Sequence, residues 1–87
     1  MNSFIIGGKL YDPAKGLELC SEDNALETIT LFRSAKGAFY TVTVDHTNTQ
    51  TAAQVLTRQE ALAFIDENPC NVIVENYAKA FGMPKEG

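Results

Sequence analysis

The sequence predicts an α+β fold: a two-layer antiparallel sheet of four to five strands, arranged as two hairpins, followed by two C-terminal helices. Two observations predict it. Short segments of strand-forming residues, separated by turns that contain glycine, fill the first half of the chain. The second half carries a helix-capping signal and then apolar residues at spacings of three and four. Strands followed by helices in this order are typical of α+β sandwiches.

The first predicted hairpin surrounds a turn at residues 12–16, where a proline occupies a position that type I turns favour. We expect one strand within residues 4–11, before the turn, and a second at 17–19, after it. The second strand should end where residues 21–24 break the alternation of apolar and polar side chains. A glycine pair at 7–8 interrupts the first strand, and such a pair inside a strand is typical of a bulge.

The second predicted hairpin joins residues 26–32 to 38–44, both rich in β-branched or aromatic residues, through a turn at 34–37. The segments that end in Gly16 and Gly37 share a pattern of leucine, an aromatic residue, two turn residues and Ala-Lys-Gly. They reflect either an internal duplication or the same turn chemistry used twice, and a single matching heptapeptide favours the second explanation. Both glycines are expected in the left-handed conformation that ends a hairpin loop.

The first predicted helix spans residues 58–67, and a short fifth strand is expected just before it, over 53–56. Thr57 and Glu60 have the spacing of a capping box, in which each side chain bonds the backbone amide of the other residue. The Asn-Pro pair at 68–69 should stop this helix.

A second helix is predicted after Pro69, with Asn71 as its N-cap and Gly82 as its C-cap. Apolar residues recur there at spacings of three and four. The alternative is a strand over residues 72–74, because three consecutive β-branched residues lower helix propensity.

At 87 residues the chain has room for one domain, expected over residues 1–82 and followed by a short tail at 83–87. Its formal net charge of -4 and its seven dispersed Lys and Arg residues argue against direct binding of nucleic acid. No apolar run is long enough to cross a membrane, and the first residues lack the features of an export signal. We therefore expect a cytoplasmic protein without membrane attachment.

Few side chains suit catalysis or metal binding. Cys20 and Cys70 are expected to be reduced, buried thiols, because a lone cysteine pair in a chain without an export signal seldom forms a disulfide. His46, the only histidine, lies in a polar segment at 45–51 that is predicted to be an exposed connection. One histidine with two distant cysteines does not make a zinc site. We predict no catalytic residue, metal site or cofactor, and the alternative is a small thiol enzyme using Cys20 or Cys70.

The acidic residues are unevenly placed. Eight of the eleven Asp and Glu residues lie in two segments without Lys or Arg, at residues 16–32 and 59–78. An acidic surface of this kind steers association with a basic protein partner, although such charges can also serve solubility alone. The predicted contact residues are Glu18, Glu22, Asp23, Glu27, Asp66, Glu67 and Glu75.

An ordered set of short motifs spans most of the chain: Gly8-Lys9-Leu10-Tyr11-Asp12, Glu27-Thr28, Leu31-Phe32, Ala35-Lys36-Gly37-Ala38-Phe39-Tyr40, Leu56-Thr57, Glu60-Ala61 and Phe81-Gly82. In this order they resemble small uncharacterised proteins carried by phages and mobile elements of Gram-positive bacteria. The chain departs from that pattern at residues 45–51, where members of the family have a glycine-rich stretch and this chain has no glycine.

The resemblance implies no catalytic residues. It implies a genomic setting in which small acidic proteins act as inhibitors of host defence nucleases, including anti-CRISPR proteins. We therefore expect a non-enzymatic inhibitor that binds the basic nucleic-acid-binding surface of a CRISPR effector or another nuclease. The alternative is a regulatory or assembly module that self-associates, for example as a homodimer, through a sheet edge or an apolar patch.

Overall fold

The computed structural model describes residues 3–47 and 51–86. Within these ranges the chain forms six β-strands, two α-helices and one 3₁₀ turn. The strands are β1 (Phe4–Ile6), β2 (Lys9–Tyr11), β3 (Leu17–Asp23), β4 (Glu27–Arg33), β5 (Phe39–Asp45) and β6 (Thr51–Leu56). The helices are α1 (Arg58–Glu67) and α2 (Val74–Phe81), and the 3₁₀ turn at Pro69–Asn71 lies between them.

The α+β fold class is confirmed. Strands β3 to β6 form an antiparallel sheet in sequential order, and β1 pairs with β2 in a separate antiparallel hairpin. Side chains from the two helices pack on one face of the four-stranded sheet, which we call the helix face. Side chains from the β1–β2 hairpin pack on the opposite face, the hairpin face.

The pairing of the first strands differs from the prediction. β2 pairs with β1, not with β3, across a two-residue turn at Gly7 and Gly8 where a bulge was expected. Both glycines have positive φ, at 59° and 78°, which suits the tight turns that join paired antiparallel strands. The turn at 12–16 is present, but it links the hairpin to the four-stranded sheet and does not join paired strands.

β3 continues through most of the predicted break at residues 21–24. Its last residue is Asp23, and Ser21, Glu22 and Asp23 all pair with β4. The chain reverses just after it, where Asn24 Oδ1 accepts hydrogen bonds from the amides of Leu26 and Glu27, both at 2.9 Å. The prediction failed because pairing with β4 stabilises polar strand residues that local alternation does not favour.

The second hairpin, the fifth strand and the first helix are confirmed. β4 and β5 pair without a register shift, and Gly37 in their connecting turn has a φ of 92°. The fifth strand is β6, and it begins at Thr51. α1 spans the predicted residues and has both hydrogen bonds of the capping box. The expected connection at 45–51 is shorter, because Asp45 ends β5; residues 48–50 lie outside the described ranges.

α2 begins later than predicted. Its N-cap is Ile73, not Asn71, because the chain first makes the 3₁₀ turn after Pro69. Val72 and Ile73 are extended but Val74 is helical, so the alternative strand over 72–74 does not form. The helix ends at Gly82 as predicted, with a φ of 88°.

Gly16 does not adopt the predicted left-handed conformation, unlike Gly37. A Cβ atom on Gly16 would lie 2.6 Å from the Tyr40 hydroxyl oxygen and 3.3 Å from Cδ1 of Phe32. Glycine is therefore required there by close approach to neighbouring side chains. The two Ala-Lys-Gly turns use glycine for different physical reasons.

Two apolar clusters fill the interior. The helix-face cluster contains Leu19, Cys20, Leu31, Phe39, Ala61 and Ile65, and the hairpin-face cluster contains Tyr11, Phe32, Tyr40 and Val42. A register shift between Glu18 and Cys20 lets the adjacent residues Leu19 and Cys20 both join the helix-face cluster. Regular alternation along the strand would send one of them to the opposite face. Among the described helices, none has the length and apolar character needed to cross a lipid bilayer.

Candidate protein-interaction site

Two open grooves lie side by side on the helix face of the sheet. The first is bordered by the start of β4, the end of β5 and the start of β6, and Glu27 and Asp45 line it. The second lies between the sheet and α1, and Glu60 and Glu67 line it. Thr43 lines both grooves, so they adjoin. We call the four carboxylates, Glu27, Asp45, Glu60 and Glu67, the acidic face.

The sheet contributes two of these carboxylates from neighbouring strands. Glu27 in β4 pairs directly with Asp45 in β5, so the two side chains project from the same face of the sheet. Like charges placed opposite each other in this way destabilise a strand pair. Asp45 also accepts hydrogen bonds from the amide and hydroxyl of Thr47, both at 2.7 Å.

α1 contributes the other two carboxylates. Glu60 and Glu67 are seven residues apart, close to two helical turns, and therefore lie on one side of the helix. The Glu60 carboxylate also completes the capping box by accepting from the amide of Thr57 at 2.9 Å. Glu67 and Asp66 lie in the last turn, which contains no basic residue. Carboxylates at this end of a helix are disfavoured by the helix dipole.

The grooves combine this charge with an uncharged floor. Ile29, Thr41 and Thr43 of the sheet line the second groove beneath Glu60 and Glu67. Among the described residues that line the two grooves there is no Lys, Arg or His. The described lining of the two grooves therefore carries four carboxylates and no basic side chain, a charge distribution that attracts a basic partner.

The structure brings together only part of the predicted contact set. Glu27 and Glu67, one from each base-free segment, line the adjoining grooves. Glu22 pairs in register with Ile29, a groove residue, and so lies on the helix face as well. Asp66 lines neither groove, although it neighbours Glu67 in sequence.

The remaining predicted contact residues lie elsewhere. Glu18 pairs with Phe32 and Asp23 with Thr28, which places both carboxylates on the hairpin face of the sheet. Glu75 is on α2, where its carboxylate oxygen lies 3.8 Å from Nζ of Lys79. These three acidic side chains do not join the acidic face.

Asp23 belongs to a small polar cluster near the end of the sheet. Its Oδ1 accepts a hydrogen bond from the Thr28 hydroxyl at 2.8 Å and lies 3.5 Å from Nε2 of His46. Nε2 of His46 is also 2.7 Å from the Thr28 oxygen. The cluster connects the end of β3 to the residue that follows β5.

Two residues of the acidic face, Asp45 and Glu60, were not among the predicted contacts. The sequence predicts Glu60 as the second residue of the capping box, and Asp45 lies outside both base-free segments. The sequence offered no signal for Asp45, because a turn of residues 34–37 alone would place Val44 opposite Glu27. The pairing of Glu27 with Asp45 follows from the observed register, in which Arg33 pairs with Phe39.

The two cysteines occupy different environments. Cys20 is fully buried, and its thiol lies 3.4 Å from the Asn68 carbonyl oxygen. Cys70 is exposed, so its predicted burial is wrong; no residue of the 3₁₀ turn that carries it is buried. Burial raises the pKa of Cys20, which disfavours the thiolate form at that residue.

Within the described ranges, no three His, Cys, Asp or Glu side chains lie close enough together to bind a metal ion.

Comparison with known proteins adds no assignment to this geometry. No protein-family model, no curated protein sequence and no solved structure matches the chain.

Proposed function

We propose that this chain is a small non-enzymatic interaction protein whose acidic face binds a basic surface of a protein partner. One observation carries the proposal: carboxylates from two strands and a helix converge on adjoining grooves whose described lining residues include no base. Complementary charge of this kind accelerates association and fixes the orientation of the partners.

Glu67 of the acidic face lies in the last turn of α1, where the helix dipole disfavours a carboxylate by some tenths of a kcal/mol, up to about 1 kcal/mol. A neutral side chain would avoid this cost, and locally unfavourable choices are typical of functional surfaces. The position of this charge therefore supports a role in binding.

We further propose that the partner is a host defence effector, such as a CRISPR effector or another nuclease, in the cytoplasm. The resemblance to phage and mobile-element proteins supports this setting. The carboxylates would then occupy the positions at which the effector binds phosphates, and the net charge of -4 agrees with a protein that does not bind nucleic acid itself.

The test is capture of a partner from a Gram-positive bacterial lysate by the immobilised protein, at low and at high salt. We expect a basic nucleic-acid-binding protein to be retained at low salt and displaced by added DNA or RNA. The double variant Glu27→Gln, Glu67→Gln should lose at least about tenfold in affinity for the captured protein.

Asp66→Asn is the matched control, because it removes the same charge from the same turn of α1 but lies outside the grooves. It should retain the affinity of the wild-type protein. The single variant Glu67→Gln removes one charge, as the control does. Equal losses of affinity in Asp66→Asn and Glu67→Gln, or binding that does not depend on salt, would rule out the acidic face as the binding site.

A second candidate function is self-association, and a different surface favours it. Ile5 and Leu10 are directly opposite in the β1–β2 hairpin, and they are 77% and 67% exposed. Sedimentation equilibrium tests this candidate: a dimer that the Ile5→Ser, Leu10→Ser variant converts to a monomer would support it. A wild-type protein that stays monomeric over the accessible concentrations would rule it out.

A further inference from the structure

The two edge strands of the four-stranded sheet differ in whether another part of the chain covers them with hydrogen bonds. β3 forms one edge, and the segment after α1 covers it with three hydrogen bonds to its backbone carbonyls. The side-chain amides of Asn76 and Asn71 donate to Glu18 and Ser21 at 2.8 and 2.9 Å, and the backbone amide of Ile73 donates to Leu19 at 2.9 Å. Covering an edge in this way prevents it from pairing with another chain.

β6 forms the other edge, and it is open. Among the described residues, no hydrogen bond from another element reaches its outer side, and four of its six residues are exposed. The strand Thr51–Leu56 contains no charged residue and no proline, and it pairs with β5 without a register shift. It therefore lacks the usual features that protect an edge strand from pairing.

The β1–β2 hairpin does not close this edge. β1 lies close to β6, but its side chains Phe4 and Ile6 pack in the hairpin-face cluster together with Ala53. The hairpin thus contacts β6 from the face of the sheet, and the two sheets are not hydrogen-bonded to each other.

We propose that β6 receives an extended basic segment of the partner as an added strand. Alternate side chains of such a strand project to opposite faces, so every second residue would lie on the helix face. There it would flank Ala52, Gln54 and Leu56, which line the grooves of the acidic face. Lys or Arg at these alternate positions would lie beside the groove that Glu60 and Glu67 line, while backbone hydrogen bonds to β6 would set the register.

Charge decides between this occupant and a second copy of the chain. An antiparallel pair of β6 strands from two copies would place both acidic faces on the same side of one continuous sheet, where they repel. A basic segment has the opposite charge. The inference rests on the proposed function, because it assigns the form in which the basic partner engages the same site.

The test uses a blocked heptapeptide of alternating lysine and valine, added to the isotope-labelled full chain. Hydrogen exchange of the β6 amides, followed by NMR, should slow at least about tenfold at alternate residues, because successive amides point to opposite edges of a strand. The matched control peptide has the same sequence with every backbone nitrogen methylated. It keeps the charge but cannot form the strand, and it should not protect β6.

The protein variant for this experiment is Glu60→Gln, Glu67→Gln, with Asp66→Asn as control. Gln at position 60 can still serve in the capping box, so the double variant keeps its helix start. We expect it to bind the lysine-valine peptide at least about tenfold more weakly than Asp66→Asn does.

The outcomes separate the two proposals. If both peptides bind alike without protecting β6, and the double variant loses this binding, strand addition is overturned and the acidic face remains as the site. If neither peptide binds at low salt, the proposed function fails as well. A wild-type dimer with protected β6 amides in the absence of peptide would show that a second copy fills the edge, which overturns the inference.

Discussion

The hydroxyl oxygen of Tyr40 leaves no room for a side chain at Gly16. Tyr40 is fully buried, and among the described residues its hydroxyl has no hydrogen-bond partner. That hydroxyl oxygen would lie 2.6 Å from a Cβ atom on Gly16, so the turn after β2 and the start of β5 restrict each other.

Tyr40→Phe should therefore increase the free energy of unfolding, by up to about 1–3 kcal/mol, because it removes an unpaired buried hydroxyl. Gly16→Ala should lower it by about 1–3 kcal/mol through overpacking. In the double variant Gly16→Ala, Tyr40→Phe, the alanine should lower the free energy of unfolding by less than it does in the wild-type background. The reason is that the Tyr40 hydroxyl, the closest contact of the added Cβ atom, is absent. Urea unfolding of the four proteins measures this, and strictly additive effects would contradict the geometry.

The two thiols should differ in reactivity. Cys70 is exposed and Cys20 is 0% exposed with a raised pKa, so a thiol reagent should label one cysteine quickly in the native protein. Cys70→Ser should abolish the rapid phase, and Cys20→Ala should leave it unchanged. Rapid labelling of Cys20 in the Cys70→Ser variant would contradict the structure.

At the scale of elements, α1 combines two roles in one residue. Glu60 caps the helix through its carboxylate and also belongs to the acidic face. The roles can be separated because an amide side chain can cap but carries no charge.

Thr57→Ala should lower the free energy of unfolding by about 0.5–2 kcal/mol, since the Thr57 hydroxyl accepts from the Glu60 amide at 3.1 Å. Glu60→Gln should leave it nearly unchanged, because glutamine still reaches the Thr57 amide. Thermal and urea unfolding of both variants measure the difference. A loss in Glu60→Gln as large as that in Thr57→Ala would mean that the cap depends on the charge.

Across the whole molecule, stability should fall in alkaline solution. Burial raises the pKa of Cys20 in the helix-face cluster; burial and then the charge of Asp12 raise the pKa of Tyr40 in the hairpin-face cluster. In the unfolded chain these groups ionise near their ordinary pKa values of about 8.5 and 10. The unfolded state then loses protons that the folded state retains, so stability is intact below these values and falls as the pH rises toward the higher pKa values of the folded state.

Urea unfolding between pH 7 and about pH 10.5 measures this decline. In Tyr40→Phe the free energy of unfolding should fall less steeply with pH near about pH 10, where Tyr40 ionises in the unfolded chain. In Cys20→Ala it should fall less steeply near about pH 8.5, where Cys20 ionises in the unfolded chain. Both variants must be compared with their own stability at pH 7, because each also changes the packing of a buried cluster. If the free energy of unfolding fell equally steeply with pH in the wild type and in Tyr40→Phe, Tyr40 would not contribute to the alkaline loss of stability.

The features predicted correctly from the sequence have short-range causes. The capping box of α1 joins residues three apart, and the turn at Gly37 closes strands that are adjacent in sequence. The β-branched residues of β4 and β5 favour extended backbone by their own side-chain sterics. The fold class follows, because these local signals already order the strands before the helices.

The sequence by itself thus determined the α+β class, the start of α1 and the presence of two acidic segments. Only the tertiary structure decided that β1 pairs with β2, that β6 is left as an open edge, and that Glu27 and Glu67 line adjoining grooves while Glu18 and Asp23 lie on the other face. These features depend on strand register and on the packing of α1 across the sheet. A single register shift in β3 exchanges the faces of the residues around it, and no local pattern of side chains encodes such a shift.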